Sequence, residues 1–200
     1  MTSLFPLRIR SLLSLAAIGL TLAASMPAAL AGLDLSPQVQ SYELEGIPMS
    51  QLAFNNGARG KATYQPPRDW KYSGGSDRFE LQPGNKAQTK ASLSKWPSSP
   101  AISFDSQGLA QLSERIIGML PEGSEQVKVL AAELNPLQID GKPTYLVEVS
   151  YVFYGERFCS YSLLLDRKPE PLFFRLSSRE SDYATLREAF QRSLYTWQNL

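Results

Sequence analysis

The chain has 200 residues, with 20 Lys and Arg against 19 Asp and Glu for a formal charge of +1, one cysteine and no histidine. Without histidine there is no Ser-His-Asp or Cys-His catalysis, no His-ligated zinc or iron and no imidazole acid-base chemistry. A single thiol excludes thiolate-rich metal sites and an internal disulfide, and near-neutral charge without a basic block argues against nucleic acid as a partner.

Residues 1–31 read as an export signal. Arg8 and Arg10 supply the positive end, "SLLSLAAIGLTLAA" the apolar segment, and Ala29 and Ala31 the small residues before a cut between Ala31 and Gly32. Cleavage would leave 169 residues and, with two arginines and no acids removed, a formal charge of −1. The apolar run ends at Pro27, short of the roughly 20 residues a membrane-spanning helix needs. No later stretch approaches that length, so no transmembrane segment is expected after signal removal and the expected location is periplasmic or secreted. A chain of this size buries about 70% of its unfolded surface, enough for one domain. Residues 32–50, with Pro37 and Pro48, read as a loosely held N-terminal arm and 51–200 as a single α/β domain.

The ordered part opens with "QLAFNNGARGKATYQ", two short alternating runs around Asn56-Gly57, a hairpin signal because both residues tolerate positive φ. "PPRDW" breaks the ladder, and "KYS", "DRFELQ" and "KAQTKASLS" continue as strands separated by Gly74-Gly75 and Pro83-Gly84-Asn85. From Asp105 to Leu120 the period changes: Leu109, Leu112, Ile116, Ile117 and Leu120 recur at helical spacing, with Asp105 or Ser106 as N-cap and Pro121 and Gly123 as stop. "QVKVLAAEL", "TYLVEVSYVFY", "RFCSYSLLL" and "LFFRLS" are further strands. The chain closes on a helix with Tyr183, Leu186, Phe190, Leu194 and Trp197 on one stripe and Arg187, Glu188, Gln191 and Arg192 facing away.

A two-residue Gly155-Glu156 loop would set Phe153 opposite Phe158 and Val147 opposite Leu164 on one face, with Val152 opposite Cys159 and Glu148 opposite Leu163 on the other. Both faces are rich in apolar groups. The fold class this implies is α+β: a central antiparallel sheet covered by helices on both faces, an α/β/α sandwich.

Three residues carry the candidate chemistry, and each has a structural reading. Cys159 falls mid-strand among apolar neighbours, where burial raises a thiol pKa, so it is read as core rather than nucleophile. Glu148, on an apolar face, is either a perturbed acid-base group or half of a structural ion pair, with Arg175 as a candidate partner; the pair is the preferred reading. Gly155 shapes the hairpin. "SLSK", residues 92–95, matches Ser-x-x-Lys in form, but on a strand Ser92 and Lys95 point to opposite faces. P-loops, calcium loops and dinucleotide-binding glycine patterns are missing, so no cofactor is expected.

The "P..W" entry at Pro67 to Trp70, the "DRFELQP" strand, one middle helix, long hairpins and an aromatic-rich C-terminal helix together resemble the PsbP/Mog1/DcrB superfamily over about residues 50–198. The resemblance implies an α/β/α sandwich of extracytoplasmic accessory proteins, largely without demonstrated catalysis: PsbP supports a photosystem and DcrB is an envelope protein. It transfers no functional residue. The expectation is therefore an exported, non-enzymatic accessory or binding protein whose partner is another envelope or secreted protein. The alternatives are a hydrolase or lyase using carboxylates alone, and a carrier of a small apolar ligand.

Overall fold

The structure, a computed structural model, describes residues 32–84, 86, 88–97 and 102–199. Residues 1–31, expected from the sequence to be an export signal ending at Ala31, lie outside the described residues, as does Ala87 of the "KAQTKASLS" run; Gly32 is the first residue described.

Strands β1 (Gln38–Leu44), β2 (Ile47–Asn55) and β3 (Lys61–Tyr64) run consecutively through the first third. Between β2 and β3 the chain makes a short 3-10 turn, Gly57–Arg59, closed by the Asn56 N–H donating to Gly60 O at 3.0 Å. Next come β4 (Trp70–Gly75), β5 (Arg78–Pro83) and β6 (Lys90–Lys95), then helix α1 (Ser106–Gly118). Asp105 caps α1, its carboxylate accepting the Gly108 N–H at 2.8 Å, which satisfies one of the free donors of the first turn. Only glycine fits at 108, because a Cβ there would lie 1.7 Å from the Ser103 carbonyl oxygen. Strands β7 (Glu125–Leu134), β8 (Thr144–Phe153), β9 (Glu156–Leu165) and β10 (Leu172–Arg179) follow, then helix α2 (Glu180–Leu194) and a two-residue β11 (Gln198–Asn199).

These strands form two antiparallel sheets, one of order β1-β2-β3-β11 and one of order β4-β5-β6-β10-β9-β8-β7. On one face of the larger sheet, Tyr145, Val147, Val149, Tyr151, Leu164 and Phe173 pack with Trp96 against Leu112 and Ile116 of α1. The opposite face carries the larger core. There Phe79, Leu93, Tyr161, Leu163 and Phe174 meet Phe190 of α2, and also Leu52, Phe54, Ala62 and Tyr64 of the smaller sheet and Leu33 and Leu35 before it.

That second sheet overturns the expected α/β/α sandwich. The molecule is mostly β, with about half of the described residues in strands and only two α-helices among them. Helix α2 shares its face of the sheet with strands β2 and β3 instead of covering it alone. The physical reason is the alternation in residues 52–64, which puts Leu52, Phe54, Ala62 and Tyr64 inward; that apolar face must be buried, and the seven-stranded sheet offers the surface. Residues 32–50 are not a loose arm either: Leu33 and Leu35 are fully buried, and β1 pairs along its length with β2.

Trp197 ties the layers together. Fully buried beyond the end of α2, it stacks on Phe54 at 5.6 Å and meets Phe174 edge-on at 6.0 Å. The next two residues pair with β3.

Candidate functional site

Glu148 on β8 and Cys159 on β9 share the face packed by α2, as alternation along antiparallel strands requires. The register sets Glu148 opposite Tyr161 and Ser150 opposite Cys159. Helix α2 lays Tyr183 and Arg187, four residues apart, over them. The Tyr183 hydroxyl donates to Glu148 Oε2 at 2.8 Å, and Arg187 reaches Glu148 Oε1 with Nε at 2.9 Å and Nη2 at 2.7 Å. The Glu148 side chain is only 9% exposed. Burial pushes the Tyr183 hydroxyl pKa up, and the Glu148 charge adds to that. Burial alone would lower the affinity of Arg187 for its proton, but the charge and hydrogen bond of Glu148 more than offset it.

Arg175 does not take part in this pair. It lies on the opposite face of the sheet, its Nε donating to Ser160 Oγ at 3.4 Å and its Nη1 to the Met119 carbonyl at 3.3 Å. Arg187, expected to face solvent, sits at the margin of the buried stripe and turns its guanidinium inward. No second carboxylate joins Glu148 in a described contact, so the acid is held by a cation and a phenol rather than paired for acid-base work. The Cys159 thiol is buried, its pKa pushed up to about 11 by burial and then by the Glu180 and Glu148 charges. That environment suppresses the thiolate. Ser92 and Lys95 lie on strand β6, where Ser92 stands opposite Arg175 while Lys95 pairs with Asp77 at 2.8 Å.

The tip of the β8–β9 hairpin differs from its expected register. Tyr154 and Gly155, with φ of 49° and 77°, are the two central residues, and Phe153 pairs with Glu156. Two positive φ values in a row match the type I′ turn, whose twist suits a hairpin. Pairs therefore slide by two relative to a Gly155-Glu156 loop, so Cys159 faces Ser150 and not Val152, while each residue keeps its face because the slip is even.

Around this tip the aromatic side chains gather. Tyr151 stacks on Phe158 at 5.7 Å, Phe158 meets Phe153 edge-on at 6.4 Å, and Phe153 contacts Tyr154 at 4.4 Å. They line a groove of about 410 Å³ shared with Pro121 after α1 and with Gln88, Lys90 and Ser177. Arg179 bridges two of these lining residues, pairing with Glu156 at 2.7 Å and donating to Gln88 Oε1 at 2.6 Å. The Tyr151 and Ser177 hydroxyls are joined at 2.8 Å. Tyr154 itself is 89% exposed. An apolar groove with a polar rim and an exposed aromatic beside it is the composition of a recognition surface. The aromatic count of "YVFYGERF" was visible in the sequence, but the convergence with Pro121 and Gln88 depends on strand order.

No family model matches the chain, and no curated protein matches it in sequence. Among solved structures, the PA94 protein of Pseudomonas aeruginosa, of unknown function, aligns at 16% identity over 80% of this chain and 95% of its own, with a TM-score of 0.45. Cyanobacterial PsbP (CyanoP) from Synechocystis aligns at 14% identity over 90% of this chain and 99% of its own, with a TM-score of 0.50. At such identity the likeness is one of fold, and the fold of this chain is PsbP-like.

Proposed function

We propose that this protein is an exported, non-enzymatic binding or accessory protein, periplasmic or secreted, that acts by contacting another protein through the aromatic groove at the β8–β9 tip. The observation that carries the reading is Tyr154. A bulky residue at φ 49° is an outlier that asparagine or glycine would relieve, and at 89% exposure no burial repays the strain. Strain held at an exposed side chain points to a use for that side chain, and tyrosine is favoured at protein interfaces.

Other observations support the same reading. The N-terminal sequence has the composition of a cleavable export signal, and no described helix is long and apolar enough to cross a membrane. One buried cluster runs from Leu33 to Trp197, as a single domain beginning near Gly32 would have. Glu148, the strongest candidate for carboxylate chemistry, is held by Arg187 and Tyr183, which speaks against the hydrolase or lyase alternative. The PsbP-like fold is in keeping with an accessory role.

The test is a paired capture from envelope extract with the wild-type protein and Tyr154→Asn, which removes the ring and suits the turn. A protein retained by the wild type and lost with the variant is the expected result. Equal retention by both, or no specific retention by either, would overturn the proposal.

A further inference from the structure

Away from the aromatic groove, the loops that end β2 and β9 and precede β8 enclose a pocket of about 480 Å³. Its floor is polar and buried. Arg167 is 5% exposed and Asn56 3% exposed, and Arg167 Nη2 donates to Asn56 Oδ1. The other end of that guanidinium, Nη1, is buried without a hydrogen-bond partner. Arg59, Lys142 and Lys168, all exposed, form the rim.

The charges do not balance. Lys168 pairs with Asp166 at 3.3 Å, and Asp140 accepts from the Asn199 side-chain amide. Among the described residues, no carboxylate lies within ion-pairing distance of Arg167, Arg59 or Lys142. Burial, and then the nearby Arg59 charge, lower the affinity of Arg167 for its proton, and Glu170 offsets this in part without reaching a hydrogen bond. A buried arginine normally has a partner for its free N–H groups, because leaving them unpaired costs the full desolvation of a charge. Arg167 lines this concave site together with the exposed Arg59 and Lys142.

We propose that this pocket binds a phosphate group, either free or carried by a small ester, with Arg167 at its floor and Arg59 and Lys142 at its rim. The cations come from three separate loops. A tetrahedral oxyanion with several acceptor oxygens suits that arrangement better than a planar carboxylate, whose two oxygens are best met by one guanidinium fork. The volume exceeds that of a phosphate alone and leaves room for a small organic group.

The site can be tested by calorimetric titration of the purified protein with inorganic phosphate, glycerol phosphate and acetate at matched ionic strength in chloride. Saturable binding of phosphate, at least tenfold tighter than acetate, is expected. Tighter binding of glycerol phosphate would assign the site to an ester, and equal or weaker binding to the free ion. Arg167→Gln should abolish binding; because it alters a buried group, the rim variant Arg59→Ala/Lys142→Ala serves as the second arm and should weaken binding about tenfold or more while leaving the circular dichroism spectrum and melting temperature unchanged. Absence of saturable phosphate binding, binding no tighter than acetate, or undiminished binding by the rim variant would each overturn the proposal.

Discussion

Arg187 on helix α2 places its Nη2 2.7 Å from Oε1 of Glu148 on strand β8, joining the helix to the strand next to the β7 edge of the seven-stranded sheet. The two partners are unequally buried, with side chains 38% and 9% exposed respectively. That asymmetry decides what each substitution does. Arg187→Met strands a buried carboxylate and should cost about 2 kcal/mol, below the roughly 3–5 kcal/mol of a fully buried pair because the arginine is partly solvated. Glu148→Gln can still accept from Tyr183 and should cost about 1 kcal/mol. Urea denaturation of both single variants and the double variant checks this. The double variant should lose less than the sum of the singles, and strict additivity would contradict a direct pair.

Tyr154→Asn should raise stability by about 0.5–1 kcal/mol, since asparagine tolerates the left-handed conformation that tyrosine resists. The comparison is the urea midpoint at unchanged slope. A loss of stability would mean that the Tyr154 ring contributes packing through Phe153 that outweighs the backbone strain.

Cys159 should react slowly with a thiol reagent in the native protein and rapidly once denatured. Its thiol pKa, moved from 9.0 to about 11 by burial first and nearby carboxylates second, keeps the thiolate scarce at neutral pH. Rapid native labelling at neutral pH would contradict this environment.

Alkaline pH should unfold the protein early. Burial raises the hydroxyl pKa of Tyr145 from 10.0 to about 12 and moves those of Tyr64, Tyr161 and Tyr183 in the same direction. For a group whose folded pKa lies above its unfolded value, the stabilisation is complete below the unfolded pKa and is lost as pH rises toward the folded one. With Cys159 included, stability should hold up to about pH 9 and fall between about pH 9 and 12. Thermal melts across that window, with phenolate absorbance followed in parallel, should show ionisation of these four tyrosines coinciding with unfolding. Ionisation of all tyrosines near pH 10 in a still-folded protein would contradict it.

Periodicity carried the elements that have one clean signal. Asp105 with the Leu112 and Ile116 stripe gave α1 and its cap, and β3 to β10 were each read as strands, because side-chain direction follows from local backbone period; β1 fell in the stretch read as an arm. What needed long-range information was not legible. The faces of β8 and β9 could be read from parity, but the register depended on whether Gly155 is the first or second turn residue, and the sequence allows both. Arg175 was read as the partner of Glu148 and Arg187 as facing away, because neither the register of β10 nor the rotation of α2 over the sheet is written locally. The second sheet was hidden because a run such as Leu52 to Tyr64 states that it has an apolar side without stating what covers it. Arg167 and Asn56, 111 positions apart, meet only through the fold, and neither has a local pattern that marks it.

Site-specific photocrosslinking in the producing cells tests the proposed function most directly. A photoreactive phenylalanine analogue replaces Tyr154 in one strain and the exposed Tyr195, which lies at the end of α2 and outside the groove, in another. A discrete crosslinked adduct with another protein at position 154, and none at position 195, is expected if the aromatic groove is the contact surface. No adduct at position 154, or the same adduct at both positions, would contradict it.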